Sequence, residues 1–155
     1  MPGDTYEDHR FFEDLGPEPL ITKQLGAHLF TTSRGRSVPV KNFIMDAKVV
    51  VGVGNIYASE SLFRSGIHPK RKAGQISRER YDLLAHEIQA TLKDAIRSGG
   101  TTFRDFRNSD GNPGYFAVSL KVYDRTGEAC VGCGAKVRQI KQGGRSTFFC
   151  AFCQA

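Results

Sequence analysis

The stretch Cys130-Val131-Gly132-Cys133, followed sixteen residues later by Cys150-Ala151-Phe152-Cys153, decides the fold of the C-terminal part of this chain. These are the only four cysteines in the 155 residues. Two CxxC pairs close together are typical of one tetrahedral zinc site, to which each pair supplies two thiolates. We therefore predict that the four cysteines bind one structural Zn²⁺. Four thiolates would leave no open position for a catalytic water.

Two other interpretations of the cysteines are weaker. Two cysteines with only two residues between them rarely form a good disulfide with each other. Nothing upstream suggests secretion either, so two disulfides are disfavoured. A redox CxxC would need one pair in an α/β setting, whereas here two pairs flank a glycine-rich segment. The N-terminus is polar and acidic without a signal-peptide core, and no apolar run approaches roughly 18 residues. We expect a cytoplasmic protein with no membrane segment.

The charge of the chain indicates an anionic partner. The net charge is +6 and the isoelectric point about 9.3. The first twenty residues are mainly acidic, whereas basic residues are spread over the middle of the chain and recur at 138–145. Such a distribution suits nucleic acid. A solvated basic surface with no partner is the alternative that charge alone leaves open.

Hydrophobic spacing predicts a mainly α fold between residues 22 and 99. The predicted helices cover residues 23–31, 38–45 with Ser37 as the cap, and 55–66, and a long one begins after Ser77 and ends before Gly99. The apolar stripe of the long helix is core; it consists of Tyr81, Leu84, Ala85, Ile88, Leu92, Ala95 and Ile96. After a turn-rich loop at 101–114, we predict a strand at 115–123 and a hairpin with strands 136–140 and 146–149.

Residues 48–58, KVVVGVGNIYA, are the second informative stretch. They resemble a dinucleotide-binding turn, but Tyr57 occupies the third glycine position and no acidic residue follows at the required distance. What remains is a pair of glycines before a helix that begins at Asn55. Free amides at a helix N-terminus bind phosphate, which in a basic helical chain favours a nucleic-acid backbone. A tight turn between packed helices, without a ligand, is the alternative.

Taken together, these motifs resemble the formamidopyrimidine-DNA glycosylase family. The matching segments are residues 15–20, 45–60, 66–69, 99–102 and 109–116, followed by the four cysteines in the same order. The resemblance implies a helix–two-turn–helix bundle followed by a β-hairpin zinc-ribbon-like finger. It also implies binding of duplex DNA that contains a lesion or an abasic site, with oxidised purines such as 8-oxoguanine and formamidopyrimidines as substrates.

The resemblance assigns roles to individual residues. Asn55, next to Gly54 in the turn, matches the residue that contacts phosphates flanking the lesion, and Lys41 matches a lysine on the DNA backbone. Arg145 matches the finger arginine that reaches the phosphate beside the flipped nucleotide. Residues 101–115, which include Tyr115, match a loop that closes over the extruded base. The implied division is a linker at 1–21, a DNA-binding domain at 22–124 and a zinc finger at 125–155.

The sequence departs from the family at its beginning. The family starts with a Pro-Glu dipeptide and a β-rich domain that supplies the catalytic proline and lysine, whereas here Gly3 follows Pro2. We therefore expect a monomeric DNA-binding half that lacks its N-terminal catalytic partner and is inactive alone, with no catalytic residue. Two alternatives stay open: a minimal lyase that uses Pro2, and a zinc-stabilised protein-interaction module with no DNA role.

Overall fold

A computed structural model of the protein describes residues 24–97 and 120–155. Within these ranges the chain forms four α-helices, one short 3₁₀-helix and a two-stranded antiparallel sheet. The helices are α1 (Leu25–Ser33), α2 (Val40–Met45), α3 (Asn55–Ser65) and α4 (Arg78–Arg97), and the 3₁₀-helix is Ala73–Gln75. The strands are β1 (Arg138–Gln142) and β2 (Arg145–Phe149). The predicted mainly α fold with a C-terminal β-hairpin is confirmed.

Helix α4 is the longest helix of the helical lobe, by which we mean residues 24–97. It packs against α1 and α3, and its predicted stripe from Tyr81 to Ala95 lies in the core, with Tyr81, Leu84 and Ile88 fully buried. The spacing of three and four residues keeps these side chains on one face of the helix. Helix α3 ends at Gly66, whose φ of +74° is a conformation that glycine adopts without strain. The predicted boundaries of α3 are thus confirmed.

Two turns connect α2 to α3. Asp46 organises the first turn, because its side chain accepts a hydrogen bond from the backbone N–H of Lys48 at 2.9 Å. Its carbonyl accepts further bonds from Val49 at 2.8 Å and Val50 at 3.1 Å. Both valines are buried in the core of the helical lobe. The valine run is therefore a buried turn rather than a strand, in agreement with the failed dinucleotide fingerprint.

The first two helices differ from their predicted limits. Helix α1 begins at Leu25 and ends at Ser33, two residues later than expected at each end, and Thr22 lies outside the described residues. Helix α2 begins at Val40 rather than after Ser37. Pro39 is extended and pairs with Lys72, and the Val40 N–H donates to the carbonyl of Arg71 at 2.7 Å. A tertiary pairing therefore delays the start of this helix.

The hairpin is shifted from the predicted strands. Gln142 pairs with Arg145, so only Gly143 and Gly144 form the turn, with φ of +61° and +80°. Positive φ at both central residues matches the twist of two-residue hairpins and favours glycine. The prediction of a strand from residue 136 was wrong, because Lys136 bridges Ala129 instead of β2.

The predicted strand at 115–123 is wrong for the part that the structure describes, residues 120–123, and residues 115–119 lie outside it. The N–H groups of Lys121, Val122 and Tyr123 donate to the carboxylate of Glu60, at 2.8 to 2.9 Å. Glu60 is on α3 and fully buried. These amides therefore bind a side chain instead of a neighbouring strand.

We use the term finger for residues 120–155, which contain the predicted zinc finger at 125–155, and this region has a small core of its own. Its buried members are Val122, Cys130, Val137, Phe148 and Cys150, and Phe63 from α3 packs against them. Helix α3 therefore contributes to both cores. Among residues 24–97 and 120–155, no helix combines the length and apolarity needed to cross a membrane.

Candidate metal centre and phosphate-binding site

The four cysteine thiols meet at one point in the finger. All four Sγ atoms lie within 4.8 Å of one another, with 3.7 Å between Cys130 and Cys153 and 3.5 Å between Cys133 and Cys150. A tetrahedral zinc site with Zn–S bonds of about 2.3 Å requires S–S distances of about 3.8 Å. Disulfide bonds would need about 2.05 Å. The arrangement fits one structural Zn²⁺ and excludes the disulfide interpretation.

The metal centre is fixed to the helical lobe through Gln154. This buried side chain accepts the N–H of Cys150 at 2.8 Å and donates to the carbonyl of Ile67 at 2.9 Å. The next residue, Ala155, donates its N–H to the carbonyl of Gly66 at 2.9 Å. The predicted metal ligand Cys150 is therefore connected through Gln154 to Ile67, just after α3. Because Gln154 is part of the finger, these bonds to the helical lobe form only when the finger is folded.

The N-terminus of α3 forms one side of the candidate phosphate site. Gly54 is the N-cap, and no side chain caps the helix. The first amides of a helix have no intrahelical acceptors, and the helix dipole favours an anion there. The side chain of Asn55 donates through Nδ2 to the carbonyl of Ser146 at 2.9 Å. This bond brings the turn of the helical lobe against the finger.

Lys41 on α2 lies at the centre of the site. The residue is 1% exposed, and Nζ donates to Asn55 Oδ1 and, at 2.7 Å, to Thr147 Oγ1. Burial, reinforced by the positive charge of Arg145, lowers the pKa of Lys41 to about 8. This lysine is therefore held by acceptors from two different parts of the chain and is close to its titration range at neutral pH.

Arg145 is the exposed cation of the site. It is the first residue of β2, and its guanidinium makes no hydrogen bond within the described residues. A cavity of about 150 Å³ adjoins it. The cavity is lined by Lys41, Asn42, Met45, Asp46, Gln142, Gly143 and Arg145. Two cationic side chains therefore face one small concave space between α2 and the hairpin.

The structure brings together four of the five residues that the resemblance assigned to DNA binding. Lys41, Gly54, Asn55 and Arg145 lie at one junction, although Lys41 is far more buried than a surface contact would be. Tyr115 lies outside the described residues. That these residues touch DNA stays a prediction.

Sequence reasoning missed Thr147 and the carbonyl of Ser146, which hold the junction together. One signal was available for Thr147. It follows Arg145 by two residues in a strand, and alternate residues of a strand share a face. Nothing in the sequence indicated that Lys41, more than one hundred residues earlier, would be its partner.

Two family descriptions match the chain. Residues 15–107 match "Formamidopyrimidine-DNA glycosylase H2TH domain", and residues 127–155 match "Zinc finger found in FPG and IleRS". Among curated relatives, the formamidopyrimidine-DNA glycosylase of Syntrophotalea carbinolica is 54% identical over 96% of this chain and 55% of its own length. That of Marinobacter nauticus is 57% identical over 94% of this chain and 54% of its own. The chain thus spans about half the length of these relatives.

Solved structures share the fold. A complex between a Lactococcus lactis FPG mutant and DNA containing Fapy-dG is 31% identical with a TM-score of 0.85, covering 97% of this chain and 55% of its own. The MutM (FPG) protein of Thermus thermophilus is 36% identical with a TM-score of 0.82, covering 96% of this chain and 57% of its own. The arrangement of helices and finger is therefore one that occurs in DNA-bound proteins.

Proposed function

Because the chain belongs to the formamidopyrimidine-DNA glycosylase family, we propose that it binds damaged duplex DNA in base excision repair. In this role it is the DNA-binding half of a bifunctional glycosylase and AP lyase that acts on oxidised purines. The observation that carries the proposal is the position of Lys41, which lines one cavity with Arg145 and donates a hydrogen bond to Asn55. Three elements, α2, α3 and β2, contribute one phosphate-binding group each.

The chemistry of the junction suits DNA phosphates. Arginine and lysine donate charge-assisted hydrogen bonds to phosphate oxygens, and the start of α3 adds backbone amides. Such contacts fix the register of a protein on the duplex without reading the base sequence. A base that undergoes excision must leave the stack, and firm contacts to the flanking phosphates hold the strand in that distorted form. Lesion recognition is then shared with residues beyond this junction.

The chain alone is proposed to bind DNA without cleaving it. None of its residues is assigned as the nucleophile, and Pro2 lies outside the described residues. The division into a linker at 1–21, a helical domain at 22–124 that includes the 101–115 loop, and a finger at 125–155 is part of the proposal. In a borohydride trapping experiment on an abasic duplex, we expect no covalent adduct. An adduct that disappears in Pro2→Ala would support the minimal lyase instead.

The binding proposal is tested with the zinc-loaded chain and a fluorescent duplex that contains an abasic-site analogue. Arg145→Glu and Asn55→Ala should each weaken binding, and the slope of log K against log salt should decrease by about 1 for the lost phosphate contact of Arg145. Lys93→Glu is the charge-matched control, because Lys93 is exposed on α4 away from the cavity. If neither Arg145→Glu nor Asn55→Ala changed the affinity for DNA, the result would favour the protein-interaction module.

A further inference from the structure

A set of hydrogen bonds connects the finger to α2 and to the first residue of α3. Lys41 Nζ donates to Asn55 Oδ1 and to Thr147 Oγ1, the latter at 2.7 Å. Asn55 Nδ2 donates in turn to the carbonyl of Ser146 at 2.9 Å. The side-chain amide of Asn55 is thereby held at both ends. Its orientation depends on Lys41, and that of Lys41 depends on Thr147.

The buried ammonium of Lys41 requires these acceptors. A lysine has three N–H donors and no acceptor, and burying one of them without a partner is costly. Two of the three are donated to Asn55 and Thr147, and the third has no partner within the residues that the structure describes. Lys41 also lines the cavity beside Arg145. Because Lys41 is 1% exposed, an anionic oxygen that enters this cavity reaches the remaining donor after a movement of the side chains that line it.

We propose that Thr147 is a positioning residue for phosphate binding: its hydroxyl fixes the Lys41 ammonium, which in turn orients Asn55. The inference rests on the proposed function, since it concerns the same phosphate site. Thr147 is 0% exposed and cannot touch the DNA itself without rearrangement of the finger. Its effect on binding therefore passes through Lys41.

The alternative role of Thr147 is to fill space in the finger. It pairs with Ile140 across the hairpin and lies beside Phe148, which belongs to the finger core. Valine has nearly the shape of threonine and a high strand propensity, so Thr147→Val retains this role while it removes the acceptor. Serine retains the acceptor while it removes a methyl group. The two variants therefore separate hydrogen bonding from packing.

Lys41 provides a readout that a packing role would not change. Its pKa is about 8, lowered by burial and by Arg145. The charged groups that line the cavity with it are Arg145 from β2 and Asp46 after α2. A bound phosphate favours the ammonium, so binding takes up a proton above the pKa of the free site. Affinity should therefore be full below pH about 8 and should decrease as the pH rises through it.

The experiment measures the dissociation constant of the zinc-loaded chain for an abasic-analogue duplex across this pH range at constant ionic strength. Thr147→Val should weaken binding roughly tenfold at neutral pH, because it removes one hydrogen bond to a charged group. In Thr147→Val, the decrease in affinity with rising pH should also begin at a lower pH than in the parent. Thr147→Ser should bind nearly as the parent does. Thr126→Val is the matched control, since Thr126 donates to Gln139 on the exposed face of the finger.

Zinc content and melting temperature verify that all variants are folded. Parent-like affinity and pH profile in Thr147→Val would overturn the proposal, and so would equal weakening in the valine and serine variants. The pKa of Lys41, measured by NMR on the free chain, is independent of DNA and should be lower in Thr147→Val than in the parent. If the parent fails to bind DNA while this pKa difference is present, the proposed function fails, and what stands is that the Thr147 hydroxyl fixes the Lys41 ammonium.

Discussion

The helical lobe and the finger are stabilised in different ways. In the helical lobe, about twenty apolar side chains from all four helices and the segments between them form one buried cluster. In the finger, the buried cluster has five residues, and two of them are the metal ligands Cys130 and Cys150. A unit below about 40 residues rarely buries enough apolar surface to fold without a metal or disulfides. The finger therefore depends on zinc, whereas the helical lobe depends on packing.

Buried hydrogen bonds cross the boundary between these two regions, in addition to the apolar contact of Phe63 with the finger core. Gln142 donates to the carbonyl of Pro69 at 2.9 Å, and Gln154 donates to that of Ile67 at the same distance. Glu60 accepts three amides of the finger, and Lys41 donates to Thr147. Hydrogen bonds are directional, so they orient the finger more sharply than apolar contact does. Arg145 is consequently positioned only when both regions are folded.

Removal of zinc should have the largest effect. Metal binding and folding are coupled at about 10–16 kcal/mol in small zinc-finger peptides. A strong chelator, or Cys150→Ser, should abolish the dispersed NMR amide signals of the hairpin at 138–149 while the signals of α4 persist. DNA affinity should fall with the hairpin because Arg145 is displaced. Recovery of both signals and affinity on addition of Zn²⁺ is the control. If the chelated chain retained the hairpin, the finger would not depend on zinc for its folding.

The features that the sequence predicted are those encoded by local spacing. The CxxC pairs, the stripe of α4 and the stop of α3 at Gly66 each depend on residues a few positions apart. The features it did not predict depend on partners distant in sequence. Glu60 captures amides at 121–123, and Lys41 is buried against Thr147. Only the assembled structure brings such groups together, so no periodicity or propensity indicates them.

The predicted starts of α2 and β1 were wrong for the same reason. Pro39 pairs with Lys72, which delays α2, and Lys136 pairs with Ala129, which removes it from β1. Each pairing is a tertiary contact that overrides a local preference. The candidate site was predicted residue by residue through the family resemblance, but the burial of Lys41 and its bond to Thr147 were not. The cytoplasmic location also stays a prediction.

A cavity in the helical core should have the next largest effect. Ile88→Ala removes a fully buried side chain from α4 and should lower the free energy of unfolding of the helical lobe by about 2–5 kcal/mol. Leu83→Ala is the control on the same helix, because Leu83 is 45% exposed and should cost far less. Urea denaturation followed by circular dichroism measures both. Zinc content should be unchanged in either variant, since packing in one region does not bind the metal in the other.

Glu60→Gln tests the polar boundary between the two regions. The carboxylate accepts three N–H donors, whereas an amide has one oxygen and places its own donors against theirs. We expect the free energy of unfolding to decrease by about 3 kcal/mol, which is the size expected for hydrogen bonds to a charged group. Exposed Glu79→Gln on α4 is the control. Amide signals of Lys121, Val122 and Tyr123 should shift in the Glu60 variant, and unchanged signals would show that the carboxylate does not hold this segment.

The smallest effect is expected for an ion pair on the surface of the helical lobe. Arg78 and Asp82 are 3.2 Å apart on α4, and their side chains are 54% and 53% exposed. Water and salt screen such a pair, so Arg78→Ala should lower the free energy of unfolding by no more than about 0.5 kcal/mol. The measurement is urea denaturation at low and high salt. A loss as large as that of Glu60→Gln would contradict this order of effects. The Glu60 carboxylate is buried and accepts three N–H donors, whereas the Asp82 carboxylate is half exposed and pairs with one arginine.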